Sequence, residues 1–256
     1  MTTTTLTMAS RANGPLTRIA NVAKLHFTNK WNLLVLPWLI LGLIFLVNYL
    51  IWWIVRTANG NETPRGLTQG TQYSGATFYI FVYMLVLAIQ AVTLTFSFAL
   101  SYSVTRRDYY LGTSAAFILV CVMYATGMTI LASIEDATGG WGLGGHIFRT
   151  IYVGDGDWWT SFFVYFVGLM FFIFVGTLYG TVYMRWRLNG TVALGALMAL
   201  AAVGAVALIT FTDGWPAVGA WFVASGPVGV AAWLLVPAAI IGVLGFFILR
   251  RATPKS

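Results

Sequence analysis

The sequence predicts an all-α, polytopic membrane protein with six transmembrane helices and an N-terminal interfacial amphipathic helix. Hydrophobic residues make up 59% of the 256-residue chain and charged residues only 8%, against about 25% charged residues in an average soluble domain. So few charges cannot cover the surface of a soluble globule. The apolar residues also form six blocks, each longer than the roughly 18 residues that indicate a membrane-spanning helix.

The chain begins with a polar tail and a basic segment. Residues 1–15 are rich in threonine, and we expect them to be disordered. Residues 16–32 predict an amphipathic helix that lies in the membrane interface before the first span. Apolar side chains fall near one face of this helix and basic ones on the other: Leu16, Ile19, Val22, Ala23 and Phe27 against Arg18, Lys24 and Lys30. The alternative is a basic juxtamembrane tail without helical structure.

The six apolar blocks are predicted to be the helices of one transmembrane domain, residues 33–249. A short tail, residues 250–256, follows this domain. A β-barrel is disfavoured because the blocks are about twice as long as a barrel strand and do not alternate in polarity. The predicted spans are Leu33–Val55, Thr77–Leu100, Ser114–Ser133, Ser161–Met184, Thr191–Phe211 and Val228–Leu249.

The distribution of basic residues predicts the orientation. With the N-terminus inside, 11 basic residues are cytoplasmic and 3 are external, which is a strong positive-inside bias. The cytoplasmic residues are Arg11, Arg18, Lys24, Lys30, Arg106, Arg107, Arg185, Arg187, Arg250, Arg251 and Lys255, and the external ones are Arg56, Arg65 and Arg149. Both termini are therefore expected to be cytoplasmic. Topology and anionic lipids explain the net charge of +7, so we expect no nucleic-acid partner.

Several functions are excluded by residues that the sequence lacks. The single cysteine, Cys121, excludes disulfides and thiolate metal sites within the chain. The only histidines, His26 and His146, lie outside the apolar blocks, which excludes bis-histidine haem. The spans contain no Asp, Glu, Lys, Arg or His, which disfavours an ion-coupled transporter and a membrane-embedded hydrolase. No lysine lies in a P-loop pattern. We therefore expect no catalytic residue, metal or cofactor in this chain.

The external loop from Ile134 to Thr160 combines glycines with acidic residues. Five glycines fall between Gly139 and Gly145, but the segment follows no strand, so a nucleotide loop is not expected. Four carboxylates in the loop, Glu135, Asp136, Asp155 and Asp157, form a solvated outer face or, alternatively, bind a cation.

Polar side chains recur on one face of the second predicted span. They are separated by three, four or seven residues, so they share a helical face: Tyr79, Tyr83, Gln90, Thr93 and Ser97. Asn48 in the first span could belong with them. This polar stripe either makes hydrogen bonds between helices within the subunit or lines a substrate path.

Small residues occur at a spacing of four in two other predicted spans. Gly176 and Gly180 form a GxxxG pattern, and Gly195 and Ala199 form a similar pair. Such pairs indicate close helix packing rather than a specific dimer face.

Two short bridges between spans carry a family resemblance. The first, Ser101–Thr113, contains Thr-Arg-Arg-Asp-Tyr-Tyr-Leu-Gly, and the second is Arg185-Trp-Arg-Leu-Asn-Gly190. The first resembles the coupling-helix segment of type-2 ABC exporter permeases, and the second is similar to that family's second cytoplasmic bridge. The order of the segments and the topology match over nearly the whole chain. The outer segment, Thr212–Pro227, is shorter than in some relatives, so we expect any re-entrant helices in it to be rudimentary.

The resemblance implies that this chain is the membrane subunit of an ATP-driven exporter for a hydrophobic or amphipathic substrate. Two copies of a separate ATPase subunit would bind ATP and Mg²⁺, and a second permease, identical or related, would complete the assembly among membrane lipids. The polar stripe and the span Thr191–Phe211 would line the route. The coupling residues would sit in a groove on the ATPase, where charge pairs set the register and aromatic rings fill a pocket: Arg106, Arg107, Asp108, Tyr109 and Tyr110.

Two other functions compete with export. A non-transporting scaffold or sensor subunit would use the same arginine-rich bridge to dock a cytoplasmic regulator. An ungated channel is disfavoured, because the spans contain no ring of charged residues and no recognisable filter sequence.

Overall fold

The computed structural model describes residues 15–27, 31–101, 104–154 and 156–250, and these residues form helices and loops without any strand. Four parts of the sequence predictions lie outside the described residues. They are the predicted N-terminal tail up to residue 14, the tail after Arg250, Lys30 of the predicted amphipathic helix and Asp155 of the predicted acidic loop. The helices are α1 (Pro15–His26), α2 (Leu36–Ala58), α3 (Arg65–Thr71), α4 (Phe78–Ser101), α5 (Arg106–Ala137), α6 (Trp158–Phe211) and α7 (Trp215–Arg250).

Five helical segments of the described residues are long and apolar enough to cross a membrane. They are α4, α5, α6, α7 and the segment Trp31–Ala58, in which a π-helical turn, Trp31–Val35, leads into α2. The prediction of an all-α polytopic membrane protein is therefore confirmed, whereas the count of six spans stays a prediction. The difference lies in α6, whose 54 residues would extend about 80 Å as a straight helix, more than twice the thickness of a hydrocarbon core.

A backbone break at Arg187 divides α6 (φ 57°, ψ −148°). It lies inside the predicted bridge 185–190. A Cβ atom added to Gly195 would lie 4.0 Å from the hydroxyl of Tyr179, although these residues would be about 24 Å apart along a straight helix. The first half of α6 (158–186) and the second half (188–211) therefore fold back on each other, which is the arrangement that the six-span prediction requires.

A second break, at Gly226 in α7, occurs at a φ of 60° that favours glycine (ψ 178°). It separates a helical stretch, 215–225, from the remainder, 227–250, which contains the predicted last span. The expectation of a rudimentary outer segment is thus corrected, because most of Thr212–Pro227 is helical.

The core is built around α5, which packs against α1, α4, α6 and α7. The first half of α6 packs against α4 through the predicted GxxxG pair. A Cβ atom on Gly176 would collide with the Leu85 carbonyl, and one on Gly180 would lie 2.9 Å from the Cβ of Val92. The interpretation of this pair as a close-packing site within the chain is therefore confirmed.

Candidate functional site

The first turn of α5 is set by its own sequence. The hydroxyl of Thr105, which precedes the helix in an extended conformation, accepts a hydrogen bond from the backbone N–H of Asp108 at 3.1 Å. This N-cap, with an acidic residue in the first turn, favours a helix start at Arg106. The predicted bridge Ser101–Thr113 is corrected accordingly: residues 106–113 are the first two turns of α5. We call the end of the bundle that carries Arg106, Arg107 and Arg250 the basic end.

Asp108 forms an ion pair within the chain. Its carboxylate is almost buried and lies 3.2 Å from Nε of Arg18 on α1. The expected charge pair between Asp108 and a partner protein is therefore corrected, because Arg18 already supplies the opposite charge. The pair attaches α1 to the start of α5.

Tyr109 is part of the core, with 1% of its surface exposed. Its hydroxyl lies 2.8 Å from the Thr95 hydroxyl on α4, and its ring packs edge-on against Phe96 at 5.2 Å between centroids. Tyr110 is also buried, and its hydroxyl donates to the Gly242 carbonyl on α7 at 2.5 Å. The expectation that these two rings fill a pocket on a partner is wrong, because each fills a pocket inside this chain.

The two arginines of the basic end differ in their surroundings. Arg106 is half-buried and donates to the backbone carbonyl of Arg250 at 2.9 Å. Arg107 is exposed, and no hydrogen bond or ion pair joins it to another described residue. Of the five predicted coupling residues, Arg107 is thus the one fully available to a partner, and the other four connect α5 to α1, α4 and α7.

His26, which sequence analysis considered only as a haem ligand, completes the contact between α1 and α5. Its Nε2 lies 2.9 Å from the Thr113 hydroxyl, and its ring packs on Phe117 at 5.3 Å between centroids. Burial lowers the pKa of His26 to about 4, so the imidazole is neutral at pH 7. The His26 ring also lies 6.3 Å from the ring of Tyr109 between centroids, and the Tyr109 hydroxyl contacts Thr95 on α4.

The predicted polar stripe lies on the side of α4 opposite its buried face and divides into two parts. Tyr83 donates to the Asn32 carbonyl at 2.8 Å, and Tyr79 packs beside it, whereas Thr93 bonds to the Ile89 carbonyl of its own helix. The exposed residues are Gln90 and Ser97. Asn48 forms no hydrogen bond to the stripe among the described residues; its amide donates to the Ile44 carbonyl of its own helix.

A cleft of about 140 Å³ opens beside the exposed part of the stripe. Gln90, Thr95 and His26 supply polar groups to its wall, and the remaining wall is mostly apolar. Of the two interpretations of the stripe, hydrogen bonding within the subunit fits Tyr83. Gln90 lies in the wall of the cleft, where its side chain can contact a small ligand group.

The opposite end of the bundle, which we call the acidic end, carries Glu135 and Asp136. The Glu135 side chain is fully buried, and its two oxygens accept hydrogen bonds from the backbone N–H groups of residues 147–149 and from the Trp141 indole, at 2.8 to 3.2 Å. His146 lies 3.6 Å away. The expectation of a solvated face or a cation ligand is wrong for Glu135, because N–H donors already surround both of its oxygens.

Arg149 secures the rest of the same loop. Its guanidinium pairs with Asp136 and donates to the carbonyl of Gly156 and the hydroxyl of Ser161 at the start of α6. Tyr165 of α6 donates to the Phe148 carbonyl at 2.6 Å. The glycine-rich loop therefore covers the acidic end of α5 and is held by a buried carboxylate and a multiply bonded arginine.

Comparison of the chain with protein-family models, curated proteins and solved structures finds no match. A function for the chain is therefore argued from its sequence and from the geometry of the basic end.

Proposed function

We propose that the chain is the membrane-spanning permease subunit of an ATP-driven exporter for a hydrophobic or amphipathic substrate. The observation that carries the proposal is the start of α5, whose first five residues reach three other helices. Asp108 pairs with α1, Tyr109 bonds to α4, and Tyr110 and Arg106 bond to α7. A force applied at the exposed Arg107 therefore reaches most of the bundle through short, direct contacts.

The proposal separates docking from transmission. Arg107, together with the accessible part of Arg106, contacts the ATPase, whereas Tyr109 transmits the movement to Thr95 on α4, the helix that carries the polar stripe. Two ATPase subunits supply ATP and Mg²⁺, and a second permease, identical or related, pairs with this one in the bacterial plasma membrane. The second half of α6, which has no buried residue, offers a surface for that pairing.

The test is to co-express the chain with the products of its neighbouring reading frames, to ask whether an ABC ATPase is among the proteins that co-purify, and to measure substrate-stimulated ATP hydrolysis. We expect Arg107→Lys to reduce co-purification, because lysine lacks the planar guanidinium fork. Tyr109→Phe should leave co-purification intact but reduce stimulation, because the ring remains and only the hydroxyl is lost. Arg65→Lys, in the exposed loop helix α3, is the matched control. Stable binding of a regulator in place of an ATPase would favour the scaffold or sensor alternative.

The predicted orientation is tested by cysteine labelling in a Cys121→Ser background. Asn189→Cys, beside the break at Arg187, and Glu62→Cys, in the α2–α3 loop, are both exposed positions. If the chain crosses the membrane six times with its basic end inside, an impermeant reagent added to intact cells labels Glu62→Cys but not Asn189→Cys. The opposite pattern would refute this topology.

A further inference from the structure

An apolar groove of about 710 Å³ runs along the side of the bundle between α5, the first half of α6 and α7. Along α7 it extends from Leu235 to Phe247, a distance of about 18 Å, close to the ~15 Å hydrocarbon thickness of one leaflet. Its wall includes Phe174, Ala239 and Phe246, and Tyr110 and Leu111 line it near the basic end.

Arginines stand at the basic end of this groove. Arg106 and Arg107 lie one turn before Tyr110 and Leu111 on α5, so each shares a helical face with a residue of the groove wall. Arg250 ends α7 one turn after Phe247, and the bond from Arg106 to its carbonyl joins the start of α5 to the end of α7. That bond uses one of the five N–H donors of the Arg106 guanidinium.

Among the described residues, no carboxylate forms an ion pair with any of these three arginines. Asp108, the nearest carboxylate in the sequence, is engaged by Arg18 on the α1 side of α5. Arg106 and Tyr110 lie on the α7 side, where they bond to Arg250 and Gly242. The carboxylate and the groove are therefore on different sides of the helix.

We infer that this groove binds an anionic glycerophospholipid, with the phosphate at Arg106 and Arg250 and one acyl chain along α7. Basic pockets between transmembrane helices recognise anionic headgroups by charge, and an apolar groove of leaflet length accommodates the chain. The site holds the start of α5 against the end of α7. It goes beyond the proposed transport function and does not depend on it.

The experiment is native mass spectrometry of the full-length protein, without any ATPase, in detergent containing equimolar dioleoylphosphatidylglycerol and dioleoylphosphatidylcholine. We expect the phosphatidylglycerol adduct to be retained in preference to phosphatidylcholine. Arg106→Gln and Arg250→Gln should each lower that preference about five-fold. Arg185→Gln, which removes an equal charge from the end of the first half of α6, should leave it unchanged. Ala239→Phe, at an exposed position of the groove wall, should reduce retention of both lipids by filling the space for the chain.

Three results would overturn the inference. The first is equal retention of the two lipids by the unmodified protein. The second is a loss in Arg185→Gln as large as in Arg106→Gln, since general charge would then explain the preference. The third is full retention in Ala239→Phe, which would remove the acyl chain from the groove. Circular dichroism of each variant verifies that the helices are intact before binding is compared.

Discussion

Helix α5 and the second half of α6 are both apolar helical segments of membrane-spanning length, but their surroundings are opposite. α5 packs against four other helices, and its buried side chains run from Asp108 to Glu135. No residue from Tyr183 to Phe211 is buried, and Leu200, Leu208 and Phe211 expose 66% to 87% of their surfaces. Apolar character alone therefore does not distinguish the core of this protein from its periphery.

Hydrogen bonds between elements mark the difference. Tyr109, Tyr110, Tyr124 and Glu135 of α5 each bond to a part of the chain outside α5. In the second half of α6, Thr191 bonds to the Arg187 carbonyl of its own helix, and Thr210, at the end, bonds to the Val206 carbonyl and accepts from the nearby Trp215 indole at the start of α7. In a membrane an exposed apolar surface is not penalised, so packing and polar contacts decide which helices form the core. The second half of α6 is thus left free for lipid or, under the proposed function, for a second permease.

Substitution of Tyr109 is expected to give the largest difference in stability between α5 and the second half of α6. Tyr109→Ala should lower the free energy of unfolding by about 4 kcal/mol, because it empties a buried aromatic site at the junction of α1, α4 and α5. Tyr109→Phe keeps the ring and should cost about 1 kcal/mol for the lost hydrogen bond. Denaturant unfolding in detergent, monitored by circular dichroism, measures both.

The control for Tyr109 is Leu200→Ala in the second half of α6, which should change stability by less than about 0.5 kcal/mol. A cost for Leu200→Ala comparable to that of Tyr109→Ala would show that this half is covered in solution and would remove the contrast between the two helices.

Glu135 provides the second test, at the acidic end. Glu135→Gln should destabilise the protein by about 3 kcal/mol, because the amide cannot accept all the N–H groups that converge on the carboxylate, and its own NH₂ faces other donors. Limited proteolysis should then cut the α5–α6 loop faster. Glu62→Gln makes the same chemical change at an exposed position and should have almost no effect. Equal stability of the two variants would mean that the Glu135 contacts do not hold the loop.

The sequence predicts the helices well but not the direction of the side chains at their ends. The Arg-Arg-Asp-Tyr-Tyr run has the composition of an interfacial loop, so the span was predicted to begin at Ser114. The available signal was Thr105 followed three residues later by Asp108, which is an N-cap pattern that moves the helix start to Arg106. With that start, a helical wheel separates Tyr109 and Arg107 onto different faces, but only tertiary packing decides which face is buried.

Glu135 had no comparable local signal. Its partners lie 6 to 14 residues later in and after a glycine-rich segment, and a carboxylate that follows an apolar span usually faces water. Likewise, the basic turn between two apolar runs predicts the position of the break at Arg187. The sequence does not predict that the second half of α6, which follows this break, is exposed. Hydropathy reports how apolar a segment is and says nothing about what covers it.

His26 makes the α1–α5 contact sensitive to pH. The pKa of His26 falls from 6.5 in the unfolded chain to about 4 in the protein because the ring is buried. The neutral form is thus favoured on folding: its contribution is complete above pH 6.5 and decreases as the pH falls towards 4. A loss on the order of 2 to 3 kcal/mol is expected over this interval. His26→Gln should lack this component of the pH dependence, and parallel unfolding curves for both proteins measure it.

The smallest expected effect compares one substitution in both segments. Val120 on α5 is 1% exposed and Val203 in the second half of α6 is 66% exposed, so valine-to-alanine removes the same two methyl groups from a packed site and from an unpacked one. Val120→Ala should cost about 1 to 2 kcal/mol because neighbouring side chains cannot fully close the cavity. Val203→Ala should cost less than about 0.5 kcal/mol in the monomer. If the cost of Val203→Ala increases with protein concentration, the neighbour of Val203 is a second subunit. The two methyl groups would then stabilise the protein through association of subunits. A cost that is independent of concentration and equal to that of Val120→Ala would instead mean that the second half of α6 packs within its own chain.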